Sequence, residues 1–484
     1  MIQVHDINYG TIFWYEISIK HTKFLPILDI LSSRLFVEGA TVMNYHVVQT
    51  FHAVGNGTLF TGQITWGKSY SGPISRFNWI YDCGSTSERV IDTQVKGLPL
   101  WFGAGGQDID MLVLSHFDDD HVNGLETLLD NHVVKKLVLP YIEWAQSIRD
   151  ISVMGQKGTS PSVALFQLNP ARWLEIKNKE NRIGEIVLVQ GGGGPDDSGS
   201  EPGNNLPKDI DWIYETSPEN KMEDNADDAK YDYEAADSVF MGLGRPIHHS
   251  AIKVTRINQD QSISNACKSF EFMFYNAEKS LQGLGLVEEI GGIICAKKSR
   301  IPLGKVKTEI ENLIMGLGLD GDLRSLPANW RTQLKKCYEK HFGHTAKARN
   351  NISLCMYAGP VDMLPLVLCH RHSVMTKGLA ILMTGDINLN AWVIDDMKQH
   401  FGSERWDNLG VIQVPHHGSR HCWHAGNTRH FMPAIFVQCA TGTKHHPHDD
   451  VTHELTSHHA CILNADRSTP VCIKYDYTYF PHKR

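Results

Sequence analysis

The sequence has no long apolar run and no export signal. No stretch of about eighteen consecutive apolar residues occurs in its 484 residues, so no transmembrane helix is predicted. Residues 1–6 (MIQVHD) lack the basic and apolar regions of a secretory leader. The ten cysteines include no Cys-x-x-Cys pair, which is typical of reduced core thiols and not of a disulfide framework. We therefore expect a cytoplasmic protein with no membrane partner.

A positive net charge is also missing. The formal net charge is −8, which argues weakly against bulk nucleic-acid binding. The negative charge is concentrated in residues 196–237, which contain fourteen Asp and Glu and three Lys, a local net charge of −11. Such a segment cannot bury enough apolar surface to order itself, so we predict a long, flexible acidic loop. The rest of the chain is then slightly positive, and a nucleic-acid substrate is not excluded.

One short stretch concentrates the residues that carry chemistry. An apolar run at 111–114 (MLVL) is typical of a buried strand, and it leads directly into 115–124 (SHFDDDHVNG). Closely spaced nitrogen and oxygen ligands suit a divalent cation, whereas bunched carboxylates without a cation repel one another. The pattern therefore predicts a metal-binding loop with four candidate ligands: His116, Asp118, Asp120 and His121.

Two later stretches repeat the arrangement of a strand followed by a ligand. The apolar run 379–384 (LAILMT) ends at Gly385 and Asp386. The run 411–414 (VIQV) leads into 415–419 (PHHGS), which contains two histidines and Ser419. Since each strand ends in a loop with metal-ligand residue types, we expect these loops to meet at one site.

These motifs resemble the metallo-β-lactamase superfamily. Its second motif is usually His-x-His-x-Asp-His, and Asp118 replaces the second His here. That variant, with its Ser-His start and Asn-Gly end, is similar to the hydrolase domain of the bacterial competence DNA-uptake proteins (ComEC-type). A carboxylate is a harder ligand than an imidazole, so Mn²⁺ becomes a candidate beside Zn²⁺. The resemblance implies an α/β fold, the four-layer αβ/βα sandwich, and one or two divalent ions.

The resemblance also implies roles for individual residues. Asp386 is the expected bridging acid, and Asp120 also orients the attacking water. Of the adjacent histidines, His416 is expected to bind metal and His417 to face the substrate, with the opposite assignment open. His446, before Pro447 in 442–448 (GTKHHPH), or His417 is expected to protonate the leaving group. The full set of expected metal ligands is His116, Asp118, Asp120, His121, Asp386 and His416.

Two parts of the expected site stay open. Asp82, in a turn ahead of the metal loop, is either a structural partner of that loop or only a turn former. The superfamily supplies a further His ligand before the bridging acid, and none of the available histidines stands in the expected context. The dinuclear state therefore stays open, with four candidates for the missing ligand: His248, His249, His341 and His344.

The rest of the chain divides into three predicted parts. Residues 1–43 form an N-terminal extension, 44–475 the hydrolase domain, and 476–484 a C-terminal tail. Insertions are expected at about 143–265 and 279–348. The second insertion has apolar residues at helical spacing over 305–315 and 330–342 and is rich in Lys and Arg, so its surface is either a phosphate contact or a solvated face. Two of its lysines are candidate substrate contacts beside Ser419: Lys335 and Lys336.

The predicted function is a hydrolase that uses a metal-bound hydroxide. Its substrate is expected to be a phosphodiester in a nucleic acid or nucleotide, because of the hard-ligand site and the basic insertion. The enzymatic alternative is hydrolysis of a small ester, thioester or lactone, which would favour an apolar pocket. The alternative without catalysis is a regulatory binding module with a vestigial metal site.

Overall fold

Two large β-sheets organise the chain. The computed structural model describes residues 2–9, 12–19, 43–67, 75–102, 108–142, 144–154, 160–191, 210–212, 252–265, 269–277, 287–290, 293–321, 323–343, 353–361, 378–442 and 446–479. The strands in these residues are β1 Ile2–Tyr9, β2 Ile12–Ile19, β3 Met43–Phe51, β4 Leu59–Gly67, β5 Ser75–Cys83, β6 Asp108–Val113, β7 Val133–Pro140, β8 Ile183–Gln190, β9 Ile210–Trp212, β10 Lys253–Asn258, β11 Ile263–Asn265, β12 Phe270–Asn276, β13 Val287–Ile290, β14 Ile293–Ala296, β15 Leu354–Pro360, β16 Ala380–Met383, β17 Leu409–Gln413, β18 Ile435–Cys439, β19 Cys461–Ala465 and β20 Val471–Tyr479.

Helices lie between the strands. They are α1 Glu88–Phe102, α2 Asp119–Val122, α3 Leu125–Asn131, α4 Trp144–Arg149, α5 Pro161–Leu168, α6 Pro170–Ile176, α7 Leu303–Leu317, α8 Trp330–Phe342, α9 Ala391–Asp407, α10 Asn427–Phe431 and α11 Asp449–Ser457. A π-helical turn follows α4 at Asp150–Met154, and 3₁₀ turns occur at Glu180–Arg182 and His416–Gly418. The mixed α/β class predicted from the sequence is confirmed.

Strand order differs between the two large sheets. The first sheet has the order β1-β2-β20-β3-β4-β5-β6-β7-β8-β10, and the second has β19-β18-β17-β16-β15-β12-β11-β9. The hairpin of β13 and β14 forms a separate two-stranded sheet. Strands β5 to β8 run parallel in the first sheet, as do β16 to β19 in the second. Loops that follow parallel strands emerge at one edge, which gathers the loops after β6, β16 and β17.

Alternating side chains fill the space between the sheets. The Trp79 ring on β5 lies 5.1 Å from Phe272 and 5.8 Å from Phe270 of β12, measured between ring centroids. These rings belong to one buried cluster with residues from both sheets. The neighbouring Ile80 belongs to a different cluster, shared with α1 and α3. The two-residue period of the strands therefore gives each sheet two apolar faces.

A third cluster packs α9, α10 and α11 against the second sheet. Val393 and Met397 of α9, Phe431 of α10 and Leu455 of α11 are buried there with Leu382 of β16. These three helices therefore cover one face of the second sheet.

The predicted strands that deliver the motifs are confirmed with small shifts. The strand expected at 111–114 is β6, which ends at Val113, and the strand expected at 379–384 is β16. The strand expected at 411–414 is β17, at Leu409–Gln413. The helix expected at 330–342 is α8, with the same bounds.

The first predicted insertion includes strands of the main sheet. Residues 143–265 were expected to depart from the hydrolase fold, yet β8 and β10 pair within the ten-stranded sheet. The reason is the alternation in β8, where Val187 belongs to the cluster between the sheets and Leu188 to the cluster under the helices. The acidic loop predicted at 196–237 lies outside the described residues, apart from β9.

The predicted domain ends also fall inside strands. The start at residue 44 falls in β3, and the tail expected from residue 476 begins in β20. Because Ile473 and Tyr475 of β20 are buried between the sheets, the strand continues the core. Strands β1 and β2 of the predicted extension lengthen the same sheet through backbone pairing of β2 with β20. The division into domains itself stays a prediction.

None of the helices in the described residues combines the length and apolar character needed to cross a membrane.

Candidate metal centre

The loop after β6 carries its ligand-type side chains into the interior. His121 is fully buried and His116 is 6% exposed. Asp118 precedes the short helix α2. This helix begins at Asp119 and places Asp120 and His121 in one helical turn. The strand end and the tight turn together explain why neighbouring residues of this loop face one point.

Three side chains from two sheets form the deepest cluster. Ligand atoms of His116, His121 and Asp386 all lie within 4.8 Å of one another. His121 Nε2 is 3.2 Å from Asp386 Oδ1, and His116 Nε2 is 3.6 Å from Asp386 Oδ2. Among the described residues, His116 Nε2, His121 Nε2 and Asp386 Oδ1 are buried without a hydrogen-bond partner. Buried polar atoms normally have partners, so these three fit a shared cation.

A second cluster shares His121. Ligand atoms of Asp120, His121 and His417 also lie within 4.8 Å of one another, and His417 Nε2 is 3.2 Å from Asp120 Oδ2. His417 Nδ1 is 2.8 Å from the carbonyl oxygen of Cys439, which makes Nδ1 the donor and leaves Nε2 facing the cluster. His417, expected to face substrate, therefore also has the orientation of a metal-ligating histidine.

Asp82 is a structural partner of the metal loop, as one of its two interpretations predicted. Its Oδ2 lies 2.7 Å from His121 Nδ1, and it accepts a hydrogen bond from Ser115 Oγ at 2.8 Å. Its Oδ1 accepts from the Ser115 backbone N–H at 2.6 Å. A carboxylate on the far nitrogen of a histidine fixes the ring and its tautomer, which is the usual support of a metal ligand.

The other candidate ligands lie at the rim of the first cluster. Asp118 Oδ2 is 3.6 Å from His116 Nε2, and the Asp118 side chain is about half exposed. His416 Nε2 is 3.5 Å from Asp386 Oδ2, while its Nδ1 is 3.3 Å from Cys422 Sγ. The backbone of both His416 and His417 is left-handed, with φ of 48° and 54°, a conformation that costs energy for residues with a side chain.

The remaining predicted residues differ in their relation to the clusters. The half-buried His446 ring lies 5.6 Å from the His416 ring and 6.1 Å from the His417 ring. Ser419 is buried, and its Oγ accepts a hydrogen bond from the backbone of His421. Lys335 and Lys336 are exposed on α8, where Lys335 Nζ is 3.9 Å from Glu339.

The carboxylates and imidazoles of the two clusters stabilise one another's charged forms. Burial opposes the charged form of His121, but the Asp386 and Asp82 carboxylates raise its pKa well above the usual value. Burial likewise opposes the ionised form of Asp386, yet neighbouring imidazoles, led by His416, hold its pKa well below the usual value. Burial and the nearby imidazoles of His417 and His416 lower the pKa of His446 to about 4. Asp386 is therefore ionised and His446 neutral near pH 7.

Sequence reasoning missed two residues that hold the Asp386 loop. Ser353 Oγ accepts a hydrogen bond from the Asp386 backbone N–H at 2.9 Å. Gln413 Oε1 accepts from the backbone N–H groups of Thr384 at 3.0 Å and Gly385 at 3.2 Å. A glutamine inside the apolar run 411–414 was a signal of such a role, because a buried amide needs partners.

The missing histidine ligand is not found among the described residues. His341 lies on α8, with Nδ1 3.0 Å from Ser299 Oγ and Nε2 3.1 Å from Glu309 Oε2, so it belongs to a different group. The other three candidates, at 248, 249 and 344, lie outside the described residues.

Comparison with known proteins supports this interpretation of the metal loop. No curated protein matches the chain. Residues 76–145, which include Asp82 and the whole metal loop, match the family model described as Metallo-beta-lactamase superfamily. Over this stretch the chain is similar to that superfamily, which implies a metal-dependent hydrolase, and the His and Asp clusters are candidate sites for its divalent ion.

Proposed function

We propose that the protein is a metal-dependent phosphodiesterase or nuclease that acts on a nucleic acid or nucleotide. The observation that carries the proposal is the pair of clusters in which ligand atoms of His116, His121 and Asp386, and of Asp120, His121 and His417, lie within 4.8 Å of one another. Arg331, at the start of α8, lies within electrostatic range of Asp119 of the metal loop and adds a positive charge near it. A cationic side chain beside a metal site suits an anionic substrate and gives little benefit to a neutral ester.

His121 belongs to both clusters but has only Nε2 free for an ion, because Asp82 holds its Nδ1, so we divide the ligands between two ions. His116, Asp118 and Asp386 would hold one ion, with His416 as its further candidate ligand. Asp120, His121, Asp386 and His417 would hold a second ion. Carboxylate-rich ligands suit Mn²⁺ as well as Zn²⁺. Divalent ions at these positions supply Lewis-acid activation of water and of the phosphoryl group.

Side chains and one backbone carbonyl of the protein orient the ligand histidines, and other side chains assist the proton transfers of hydrolysis. Asp82 fixes the ring of His121, and the Cys439 carbonyl fixes His417. Asp120 accepts a proton from the attacking water at Oδ1 or Oδ2. His446 is neutral near pH 7 and, among the described residues, its buried Nδ1 lacks a hydrogen-bond partner. A neutral imidazole donates a hydrogen bond through one nitrogen, so we assign His446 a hydrogen bond to the leaving oxygen, which takes its proton from solvent.

Two further parts of the proposal concern the fold and the cellular compartment. The two sheets with helices outside each of them support the four-layer αβ/βα sandwich. The eight cysteines in the described residues are all free thiols, which supports a reducing compartment such as the cytoplasm.

The test is cleavage by purified full-length protein after chelation and reloading with Mn²⁺ or Zn²⁺. Substrates are single- and double-stranded DNA, RNA, a bis-aryl phosphodiester, an aryl thioester and a lactone. The double variant Asp120→Ala/His121→Ala removes ligands, and Asp130→Asn alters an exposed aspartate on α3 as the control. Metal-dependent phosphodiester cleavage that only the double variant loses supports the proposal. Cleavage restricted to the thioester or lactone overturns it in favour of the ester hydrolase.

A further inference from the structure

A second group of ligand-type side chains lies in the helical insertion. Cys337 and His341 stand four residues apart on α8 and therefore face the same side of the helix. Glu309 faces them from α7. The ligand atoms of the three side chains all lie within 4.8 Å of one another. None of the three belongs to the candidate metal centre.

The distances between these atoms fit one tetrahedral ion. His341 Nε2 is 3.1 Å from Glu309 Oε2, and Cys337 Sγ is 3.9 Å from Glu309 Oε1. Ligands bonded to Zn²⁺ at about 2.0–2.3 Å are roughly 3.3–3.6 Å apart across a tetrahedral angle. The Glu309 side chain is 42% exposed, so a small rotation can bring its carboxylate to that spacing.

His341 is already oriented as a ligand. Its ring is fully buried, and its Nδ1 lies 3.0 Å from Ser299 Oγ, which leaves Nε2 toward Glu309. The loop that supplies Ser299 is itself tied to α8, because the backbone N–H groups of Lys298 and Ser299 donate to the His341 carbonyl oxygen. A hydrogen bond on the far ring nitrogen is the usual support for a metal-ligating histidine.

Lys340 competes only weakly with an ion for Glu309. Lys340 Nζ is 2.7 Å from Glu309 Oε1, but both side chains are exposed, and exposed ion pairs contribute little. Burial, followed by the charge of Glu309, raises the pKa of Cys337 to about 11. The thiol is therefore protonated without an ion, and metal binding would release its proton to solvent.

We propose that Cys337, His341 and Glu309 bind a Zn²⁺ ion that ties α7 to α8, with solvent at the fourth position. Thiolate, imidazole and carboxylate together select Zn²⁺ over Mg²⁺, Ca²⁺ or Mn²⁺. The ion joins two helices whose apolar faces share one buried cluster, through Ile310 of α7 and Leu334 of α8. It therefore stabilises α8, the helix that begins next to Arg331.

Cobalt spectroscopy tests this site separately from catalysis. The full-length protein is stripped of metal and titrated with Co²⁺, and the near-ultraviolet charge-transfer band of a cobalt–thiolate bond is recorded. The proposal predicts this band in the wild type and its loss in Cys337→Ser. Cys295→Ser, a buried cysteine of the same insertion, should keep the band. Asp386→Asn should keep the band while binding less total Co²⁺.

Glu309→Ala guards against misfolding, because Glu309 is exposed and alanine favours a helix. This variant should need at least about tenfold more Co²⁺ to develop the band. Absence of the band in the wild type would overturn the proposal, as would its persistence in Cys337→Ser. Unchanged cobalt affinity in Glu309→Ala would exclude Glu309 from the site.

Discussion

Asp82 Oδ2 and His121 Nδ1 lie 2.7 Å apart, and both side chains are fully buried. This contact links the end of β5 to the metal loop after β6. It fixes the orientation of the His121 ring toward Asp386 and Asp120. Both metal clusters therefore depend on the carboxylate of Asp82, which belongs to neither cluster.

Asp82→Asn should therefore weaken metal binding without unfolding the chain. Asn has nearly the same shape and tolerates the left-handed backbone at this position, where φ is 57°. It loses the charge that orients His121, so affinity for the ions should fall about 10–100-fold. Titration of the metal-free protein measures this, with the exposed Asp108→Asn on β6 as the control. Equal affinities in the two variants would contradict the role of Asp82.

The adjacent histidines should differ in their effect on metal binding. His417 is buried and aimed at Asp120 and His121, whereas the His416 side chain is 31% exposed at the rim. His417→Ala should therefore lower the number of bound ions, and His416→Ala should lower affinity less. Metal content after dialysis at a fixed free-ion concentration compares them. The reverse order would support the sequence-based assignment of His416 as the ligand and His417 as the substrate contact.

Gly84 should be required for the position of the metal loop. A Cβ at this residue would lie 2.3 Å from the backbone C of Asp120 and 2.3 Å from the backbone N of His121. Gly84→Ala must displace one of these segments, at a cost of about 1–3 kcal/mol in stability, with loss of metal binding. The matched control is Gly97→Ala in α1, where a Cβ meets nothing within 4 Å. That variant should gain about 0.5–1 kcal/mol. Urea unfolding and metal titration give both quantities, and tolerance of Gly84→Ala would contradict the tight packing.

His52 should make the fold sensitive to acid. Burial lowers its pKa to about 3, below the value of about 6.5 in an unfolded chain. Below pH 6.5 the unfolded state binds more protons, so the stability present at higher pH is lost as the pH falls toward 3. His52→Gln removes this titration while keeping a partner for Thr61 Oγ1, which is 2.8 Å from His52 Nε2.

Between pH 6.5 and 5, the wild type should therefore lose about 2 kcal/mol more than His52→Gln in urea unfolding. His46→Gln, which changes an exposed histidine of β3, the strand that ends just before His52, should follow the wild type. Parallel loss of stability in all three proteins would assign the acid sensitivity to other groups.

Arg331 should contribute to recognition of anionic substrates. Arg331→Ala should raise KM for a phosphodiester about tenfold with a smaller change in kcat, because the lost interaction binds substrate before the reaction. Lys305→Ala, an exposed lysine of α7, should change little. Steady-state kinetics with charged and neutral substrates gives the comparison. An equal loss with a neutral ester would assign Arg331 a structural role.

The sequence predicted the parts of the site that lie in continuous segments. Each buried strand that runs into a ligand-bearing loop could be recognised, because apolar runs and ligand residues are adjacent in the chain. The partnership of Asp82 with His121 was one of two open interpretations, since it joins residues that are far apart in sequence. The left-handed backbone of His416 and His417 breaks the alternation of strands, so their orientations could not be predicted.

The limits of the insertions were harder to predict for a related reason. Strand β8 follows a series of short helices, and only its pairing with β7 and β10 assigns it to the main sheet. The Cys337 and His341 pair was visible at helical spacing, but Glu309 lies on a different helix. Contacts between separate elements depend on tertiary packing, which a single sequence does not specify.

Metal content tests the central claim most directly. Purified wild type and Asp120→Ala/His121→Ala are equilibrated with the same free Zn²⁺ or Mn²⁺, and the bound ions per chain are counted. The account predicts that the wild type binds at least one more ion per chain than the double variant, which lacks two of the ligands of the ion assigned to Asp120, His121 and His417. Equal metal content in two folded proteins would contradict a metal centre at this loop.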